Sequence, residues 1–497
     1  MREVSLKELM DVLPKRTSLS VDYDKKITGI AYDSRKVKPG YLFVCIKGEK
    51  TDGHLFISEA LENGAAALIT DREVDTKALY IRVENTRQAA SLLADAFYGF
   101  PTRKLRVFGV TGTNGKTTTT YLIESILREA GKKTGLTGTI RSRIGGKDYQ
   151  VARTTPEGVD LHGMARNMVD CGDEYLIMEV SSHALDMHRV DGCEFDIGVF
   201  TNLTQDHLDY HKTMDQYREA KMKLFSGLVN SWHESELKKK KGALINWDDA
   251  AGRQFASAAD VPVVKYGTHE EADVRAEDIC IDSQGTNYTL VVGKDKIPLQ
   301  LKITGRFNIY NTLAAAGAAY LEGIPLDIIK TALENFSGVP GRFELVQGGQ
   351  PFAVIIDYAH SPDGLENLLQ SAKAICEGSL ITVFGCGGDR DRGKRPIMGK
   401  IAGRYSDLAV ITSDNPRSED PKSIIKEIEE GMKMENTEYK VETDRKKAIE
   451  MAIKTANPKD VVVIAGKGHE TDQVIKDKVI HFDDKEVALA AIQGVIK

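Results

Sequence analysis

An apolar stretch, Val107-Phe108-Gly109-Val110, runs into Thr111-Gly112-Thr113-Asn114-Gly115-Lys116-Thr117-Thr118. Residue types at this spacing suit the holding of a polyphosphate. Glycines let backbone N–H groups curl around an anion. Lys116 offers a cation to the outer phosphates, and the Thr117 hydroxyl suits Mg²⁺. The usual first glycine of such a loop falls here on Val110, so the loop is a variant. An ordinary strand-to-helix turn is the alternative, and the spacing of Lys116 and Thr117 speaks against it.

Glu179-Val180-Ser181-Ser182-His183 sets a carboxylate after the apolar run Tyr175–Met178. A carboxylate at a strand's carboxyl end can hold Mg²⁺; capping the next helix is the plainer role. Thr201-Asn202-Leu203-Thr204-Gln205-Asp206-His207-Leu208-Asp209-Tyr210-His211 is dense in ligand types. His207 and His211 are four apart, as in a helical zinc pair, but Leu208 stands where a zinc protease needs its acid. A nucleotide–metal site fits better, with core or capping histidines as the alternative. Asp357-Tyr358-Ala359-His360 follows Val354–Ile356 and suits ribose hydroxyls or a metal. Gly385-Cys386-Gly387-Gly388-Asp389-Arg390-Asp391-Arg392-Gly393-Lys394-Arg395 reads as an anion-binding loop or as a flexible charged turn. Asp414-Asn415-Pro416-Arg417 and Gly466-Lys467-Gly468-His469-Glu470 each follow a strand candidate. Together they can place Arg417 and Glu470 around one zwitterionic ligand.

The elements that position these residues alternate. A helical pattern, Thr120–Leu127, follows the first loop. Tyr175–Val180 and Ile197–Phe200 read as buried strands between helical stretches, which predicts βαβ units and a largely parallel sheet. Residues 270 to 303 read as a β-rich excursion. Ala353–Ile356, Leu380–Phe384, Leu408–Thr412 and Val461–Ala465 predict a second doubly wound α/β unit. Breaks fall at Gly99-Phe100-Pro101 and at Asn335–Gly341, rich in turn formers. The 497 residues therefore divide into three expected domains, 1–100, 101–335 and 336–497.

Composition, 41% hydrophobic and 28% charged, is that expected of a soluble globular protein. The net charge of −6 argues against a general nucleic-acid binder. No apolar run is long enough to span a membrane, and the first residues lack a signal peptide's apolar core. Six scattered cysteines without a Cys-x-x-Cys pair predict reduced thiols in a cytoplasmic protein.

Taken together, Gly112–Thr118, Glu179–His183, Thr201-Asn202-Leu203 with Asp206-His207, Asp357–His360 and Gly466–Glu470 resemble the motifs of the Mur ligases, in the family's order and across most of the chain. The resemblance implies ATP-dependent amide-bond formation in peptidoglycan synthesis. It also implies an α/β, three-domain architecture: an N-terminal UDP-sugar domain, a central phosphate-loop parallel-sheet domain and a C-terminal Rossmann-like domain that brings the amino acid. Asp33-Ser34-Arg35 with Gly40–Val44 resembles a UDP-binding segment. Asp414–Arg417 resembles the signature of members that add meso-diaminopimelate. An arginine can grip that amino acid's far carboxylate and repels lysine's ammonium.

By resemblance, Gly112, Thr113, Asn114, Gly115, Lys116, Thr117, Thr118, Asn308, Asn311, Arg342 and Asp357 contact ATP. Thr117, Glu179, His207 and Lys221 serve Mg²⁺, with Lys116, Glu179, His207 and Lys221 as the catalytic set. Lys221 matches a lysine the family carbamylates (N6-carboxylysine); on pattern alone it is a helix-surface lysine. Ser34, Thr154, Thr155, Ser182 and Arg189 match contacts to UDP-N-acetylmuramoyl-dipeptide, with Met187 standing where some members have a glutamine. Arg390, Asp414, Asn415, Pro416, Arg417, Gly466 and Glu470 match the diaminopimelate pocket. The implied partners are these small molecules, with no nucleic acid and no membrane, and the chain is expected to be a monomer. Two other readings compete. One is a different ligase of the superfamily, lysine-adding or folylpolyglutamate-forming; Arg417 and the N-terminal UDP-type segment speak against it. The other is a nucleotide-binding regulator or transport ATPase; the second α/β unit with its own ligand-type residues speaks against it.

Overall fold

The structure, a computed structural model, describes residues 3–14, 16–18, 24–48, 51–151, 153–228, 240–282 and 285–496. Three large sheets follow one another along the chain. The first has five strands, ordered Arg16–Ser18, Tyr80–Val83, Ala67–Thr70, Tyr41–Val44, Gly29–Ala31, and is parallel except at the Arg16–Ser18 edge. The second has eleven strands. Its parallel centre runs Thr134–Thr137, Tyr175–Glu179, Arg106–Thr111, Ile197–Phe200, Gly242–Asn246, Val263–Gly267. The β-rich excursion is an antiparallel meander, Val274–Asp282, Gly285–Val292 and Asp295–Leu301, that extends this sheet at one edge. The third sheet has six strands, with the parallel order Ala353–Asp357, Val461–Ala465, Leu380–Phe384, Leu408–Ile411, Glu438–Val441.

Near-continuous apolar strands are what a sheet covered on both faces requires. Phe108 and Val110 enter one core cluster, while Leu105 and Val107 enter another on the opposite face. In the third sheet Val463 and Ala465 face one cluster, Val462 and Ile464 the other. Parallel strands put all their carboxyl ends on one edge, and loops leaving that edge carry the candidate residues. The pairing Glu179↔Val110 and Phe200↔Thr111 sets Glu179 and Thr201 beside the start of the glycine loop. The helix after the loop spans Lys116–Glu129, starting four residues earlier than the pattern predicts, because Gly115 at φ 84° turns the chain straight into it. Among the described residues, no helix is long and apolar enough to cross a membrane.

Candidate active site

Gly115 must be a glycine twice over. Its φ is left-handed, and a Cβ there would lie 2.4 Å from Asn311 Oδ1. Asn311 and Asn308 are buried on helix Arg306–Leu321, and Asn311 donates to Asn308 Oδ1 at 3.0 Å. Helix Arg306–Leu321 packs on helix Lys116–Glu129, so the loop is braced from behind.

Two lysines lie on this loop. Lys116 Nζ donates to the carbonyls of Gly112 and Thr113 at 3.0 and 2.8 Å. Lys221 Nζ donates to the same Gly112 carbonyl at 2.7 Å. Lys221 is 1% exposed, on helix Met214–Ser226, with its ammonium 4.4 Å from the Tyr217 ring centre. The helix-surface reading of Lys221 is thereby corrected: this face of the helix packs under the loop. Burial, and then the charge of Lys116, hold the Lys221 amine well below the ordinary lysine range.

The Glu179 carboxylate is fully buried. It accepts from Thr117 Oγ1 at 3.0 Å, from Thr139 N at 2.7 Å and from Thr139 Oγ1 at 3.0 Å. Arg342, reaching over from the C-terminal unit, donates to Thr117 Oγ1 at 3.3 Å. His207 has φ 55°, and its ring lies 4.8 Å from that of His183. Burial pushes the His207 imidazole down to about 4, so it is neutral at neutral pH. His211 is not its metal partner. His211 Nε2 is bound to Ser182 Oγ at 2.9 Å, and no three metal-ligating His, Cys, Asp or Glu side chains gather among the described residues.

Two cavities adjoin here, and the first opens on the loop. One of about 660 Å³ is lined by Asn114, Thr118, Asn311, Arg342 and Asp357. Asp357 accepts from the backbone N–H of Phe343 and of Ala359, both at 2.7 Å, and burial raises its carboxyl. The other, of about 380 Å³, is lined by His207, Arg390, Asp414, Arg417, Gly466 and Glu470. Tyr358 and His360 border both. In the smaller cavity Asn415 Nδ2 donates to Glu470 at 2.8 Å, and Arg417 Nη1 to the Gly388 carbonyl at 2.7 Å. Pro416 packs its carbonyl against Gly388, where a Cβ would meet it at 1.9 Å.

The loop Gly385–Arg395 needs a correction. Arg395 is completely buried and bound to Glu419 and Glu427 at 2.8 Å, and Arg392 also pairs with Glu427. Two of its cations are thus neutralised from within, leaving Arg390 and Lys394 to line the cavity. Cys386 is buried against Met398, and burial pushes its thiol up to about 12, which removes it as a nucleophile.

Of the remaining candidates, Thr154 and Thr155 adjoin Glu179. Thr154 and Thr139 hydroxyls are 3.1 Å apart, and Thr155 Oγ1 donates to the Glu179 carbonyl at 2.9 Å. Arg189 pairs with Glu157 at 3.1 Å and donates to Met187 Sδ at 3.3 Å, so the methionine keeps a contact to the arginine. Ser34 is elsewhere: its hydroxyl donates to Glu59 at 2.7 Å, within the first sheet's unit.

Sequence reading missed Asp363, which accepts from Asn114 Nδ2 at 2.6 Å and from Thr204 Oγ1 at 2.9 Å, tying the C-terminal unit to the loop. Its only sequence signal is a place in the first turn of helix Pro362–Ala374, where a carboxylate is ordinary.

A phosphate loop on a parallel sheet, faced by a Rossmann-like unit with its own ionic cavity, defines a nucleotide-binding α/β protein with two adjoining ligand sites. Residues 110–319 match the Mur ligase middle domain, 341–468 the Mur ligase glutamate ligase domain and 26–98 the Mur ligase family catalytic domain. The UDP-N-acetylmuramoyl-L-alanyl-D-glutamate–2,6-diaminopimelate ligase of Syntrophomonas wolfei is 50% identical over 480 residues, 95% of this chain and 96% of that one. The protein of the same name from Bacillus velezensis is 50% identical over 470 residues, 95% of each chain. A solved structure of a ligase of that name superposes with a TM-score of 0.70 at 31% identity, covering all of both chains. The chain belongs to the Mur ligase family.

Proposed function

We propose that this chain is the ATP-dependent ligase that joins meso-2,6-diaminopimelate to UDP-N-acetylmuramoyl-L-alanyl-D-glutamate, building a peptidoglycan precursor. One observation carries the reading: the cavity at the phosphate loop and the cavity holding Arg417 and Glu470 share the walls Tyr358 and His360. A phosphorylated carboxylate and an incoming amine can therefore meet.

In this reading, residues 1–100, 101–335 and 336–497 are the UDP-sugar, ATP and amino-acid domains of a monomeric cytoplasmic enzyme. ATP lies along Gly112–Thr118 with its base and ribose toward Asn308, Asn311, Arg342 and Asp357. The γ-carboxylate of the D-glutamyl residue attacks the γ-phosphorus, ADP leaves, and an acyl phosphate forms. The amine of diaminopimelate attacks that acyl carbon. The C–N bond forms, the C–O bond to phosphate breaks, and the nitrogen gives up a proton. Lys116 serves the transferring phosphoryl group, where negative charge accumulates. Arg417 grips the far carboxylate of diaminopimelate, and Glu470 its ammonium. Ser34, Thr154, Thr155, Ser182 and Arg189 orient the sugar-peptide.

The oxygen-rich set of Thr117 and Glu179 suits a hard cation such as Mg²⁺, with His207 completing it. Mg²⁺ bound there would screen the like charges of the phosphates and the carboxylate. Lys221 as an ammonium does not suit that set; its N-carboxylate does, and the lowered amine basicity favours reaction of the neutral nitrogen with CO₂.

Phosphate release from Mg²⁺-ATP in the presence of the UDP-dipeptide tests the reading. Diaminopimelate should trigger release where L-lysine and no amino acid do not. Release with lysine instead would overturn the specificity, and release independent of any amino acid would overturn the ligase.

A further inference from the structure

We infer that Arg445 is a positioning residue for the amino-acid site, setting the spacing of the two loops that hold diaminopimelate. The inference rests on the reading of Asp414–Arg417 and Gly466–Glu470 as that site.

Arg445 is the first residue of helix Arg445–Thr455, and Asp484 the first of helix Asp484–Ile496. Both side chains are completely buried. Asp484 grips the guanidinium with both oxygens, at 2.7 Å to Nε and 2.7 Å to Nη2. The remaining donors reach backbone. Nη1 donates to the Ser413 carbonyl at 3.3 Å, and Nη2 to the Ala465 carbonyl at 3.0 Å. Each carbonyl belongs to the residue immediately before a ligand loop: Ser413 precedes Asp414, and Ala465 precedes Gly466.

The strands ending at these two loops are not neighbours. Leu380–Phe384 lies between Leu408–Ile411 and Val461–Ala465, so the two strands share no direct ladder; beyond their ends, Arg417 N donates to the Val474 carbonyl at 3.0 Å and Lys476 N to the Arg417 carbonyl at 2.6 Å. Arg445 spans that gap from below. Above it the loops touch directly: Asn415 bonds Glu470 at 2.8 Å, and a Cβ on Gly466 would lie 2.6 Å from Asp414 Oδ2. Arg417 and Glu470 face the same cavity from opposite loops, so the spacing of the loops sets the spacing of the two charges.

A buried ion pair gains little stability over apolar packing. A planar guanidinium held bidentately, however, presents donors in a rigid fork, which a lysine cannot reproduce. The pair is therefore suited to geometry more than to stability. Arg445 does not line the cavity and acts through the two loops.

The test is steady-state kinetics of Arg445→Lys and Asp484→Asn, with KM measured for each of the three substrates and thermal melting in parallel. Arg445→Lys keeps the buried charge and loses the fork. Asp484→Asn keeps the guanidinium and loosens its hold, and reads the same effect if the lysine variant does not fold. A KM for diaminopimelate raised about tenfold or more, with KM for ATP and for the UDP-dipeptide within about twofold of wild type, is expected. A lowered melting temperature with unchanged KM for diaminopimelate, or an equal loss toward all three substrates, would reduce the pair to a structural role and overturn the inference. Wild-type enzyme indifferent to diaminopimelate would instead overturn the reading of the site on which it rests.

Discussion

At the carboxyl ends of the central strands, Lys116 and Lys221 turn their ammonium groups onto the Gly112 carbonyl, at 3.0 and 2.7 Å. At the carboxyl ends of the C-terminal strands, Arg392 and Arg395 turn their guanidinium groups onto the carboxylates of Glu427 and Glu419. Both regions use the same topological device, loops leaving one edge of a parallel sheet. They differ in what the cations hold. A carbonyl is a weak partner that a phosphate or carboxylate oxygen can replace, whereas a carboxylate is a standing one. Cations held by carbonyls are thus poised for a ligand, and cations held by carboxylates serve the fold. Arg417 falls in the first group although it lies in the second region, because its guanidinium donates to the Gly388 carbonyl.

The largest expected effect is at Lys221, the most deeply buried of the carbonyl-held amines and the one that would carry the N-carboxylate. Lys221→Ala should lower kcat by about 10³-fold, with part of the activity restored by a short carboxylic acid that replaces the lost N-carboxylate. Full activity without rescue would remove Lys221 from the site and break the distinction at its strongest point.

Next comes Arg417→Ala. Losing a bidentate charge-assisted contact costs on the order of 2–5 kcal/mol, or about 30-fold or more in KM for diaminopimelate, while ATP binding by calorimetry should change little. An unchanged KM would place Arg417 with the structural cations.

The smallest effect belongs to the carboxylate-held group and sharpens the contrast. The hydrogen bond from Arg395 holds the Glu419 carboxyl at about 2 in the folded chain. A carboxyl lowered on folding adds stability that is complete above its unfolded pKa and is lost as pH falls toward the folded value. Melting temperature of the wild type should therefore fall between about pH 4.5 and pH 2 more steeply than that of Glu419→Gln, whose KM values at neutral pH stay near wild type. Parallel melting curves over that interval would show that the Arg395 pair does not anchor the loop.

Several features of this molecule were legible along the chain because their signals are local. The glycine loop is contiguous, so its spacing is visible without a fold. Buried strands appear as unbroken apolar runs such as Val461–Ala465, and the β-rich excursion appears as a change of period. Asp414–Arg417 reads as a unit because four adjacent residues carry it.

Other features depend on which strands become neighbours. Lys221 has the pattern of a surface lysine, and its burial follows from helix Met214–Ser226 packing beneath a loop more than a hundred residues earlier. Arg392 and Arg395 look available in a cation-rich turn until helix Pro421–Met432 and its approach bring Glu427 and Glu419 against them. Asp363 and Arg445 have no sequence signal of these contacts, since their partners are a loop amide, a hydroxyl and backbone carbonyls far away in the chain. Local chemistry is written in residue order and survives without a fold. Whether a charge meets water, a carbonyl or an opposite charge depends on long-range packing, and that distinction separates the cations that meet ligands from those that hold the scaffold.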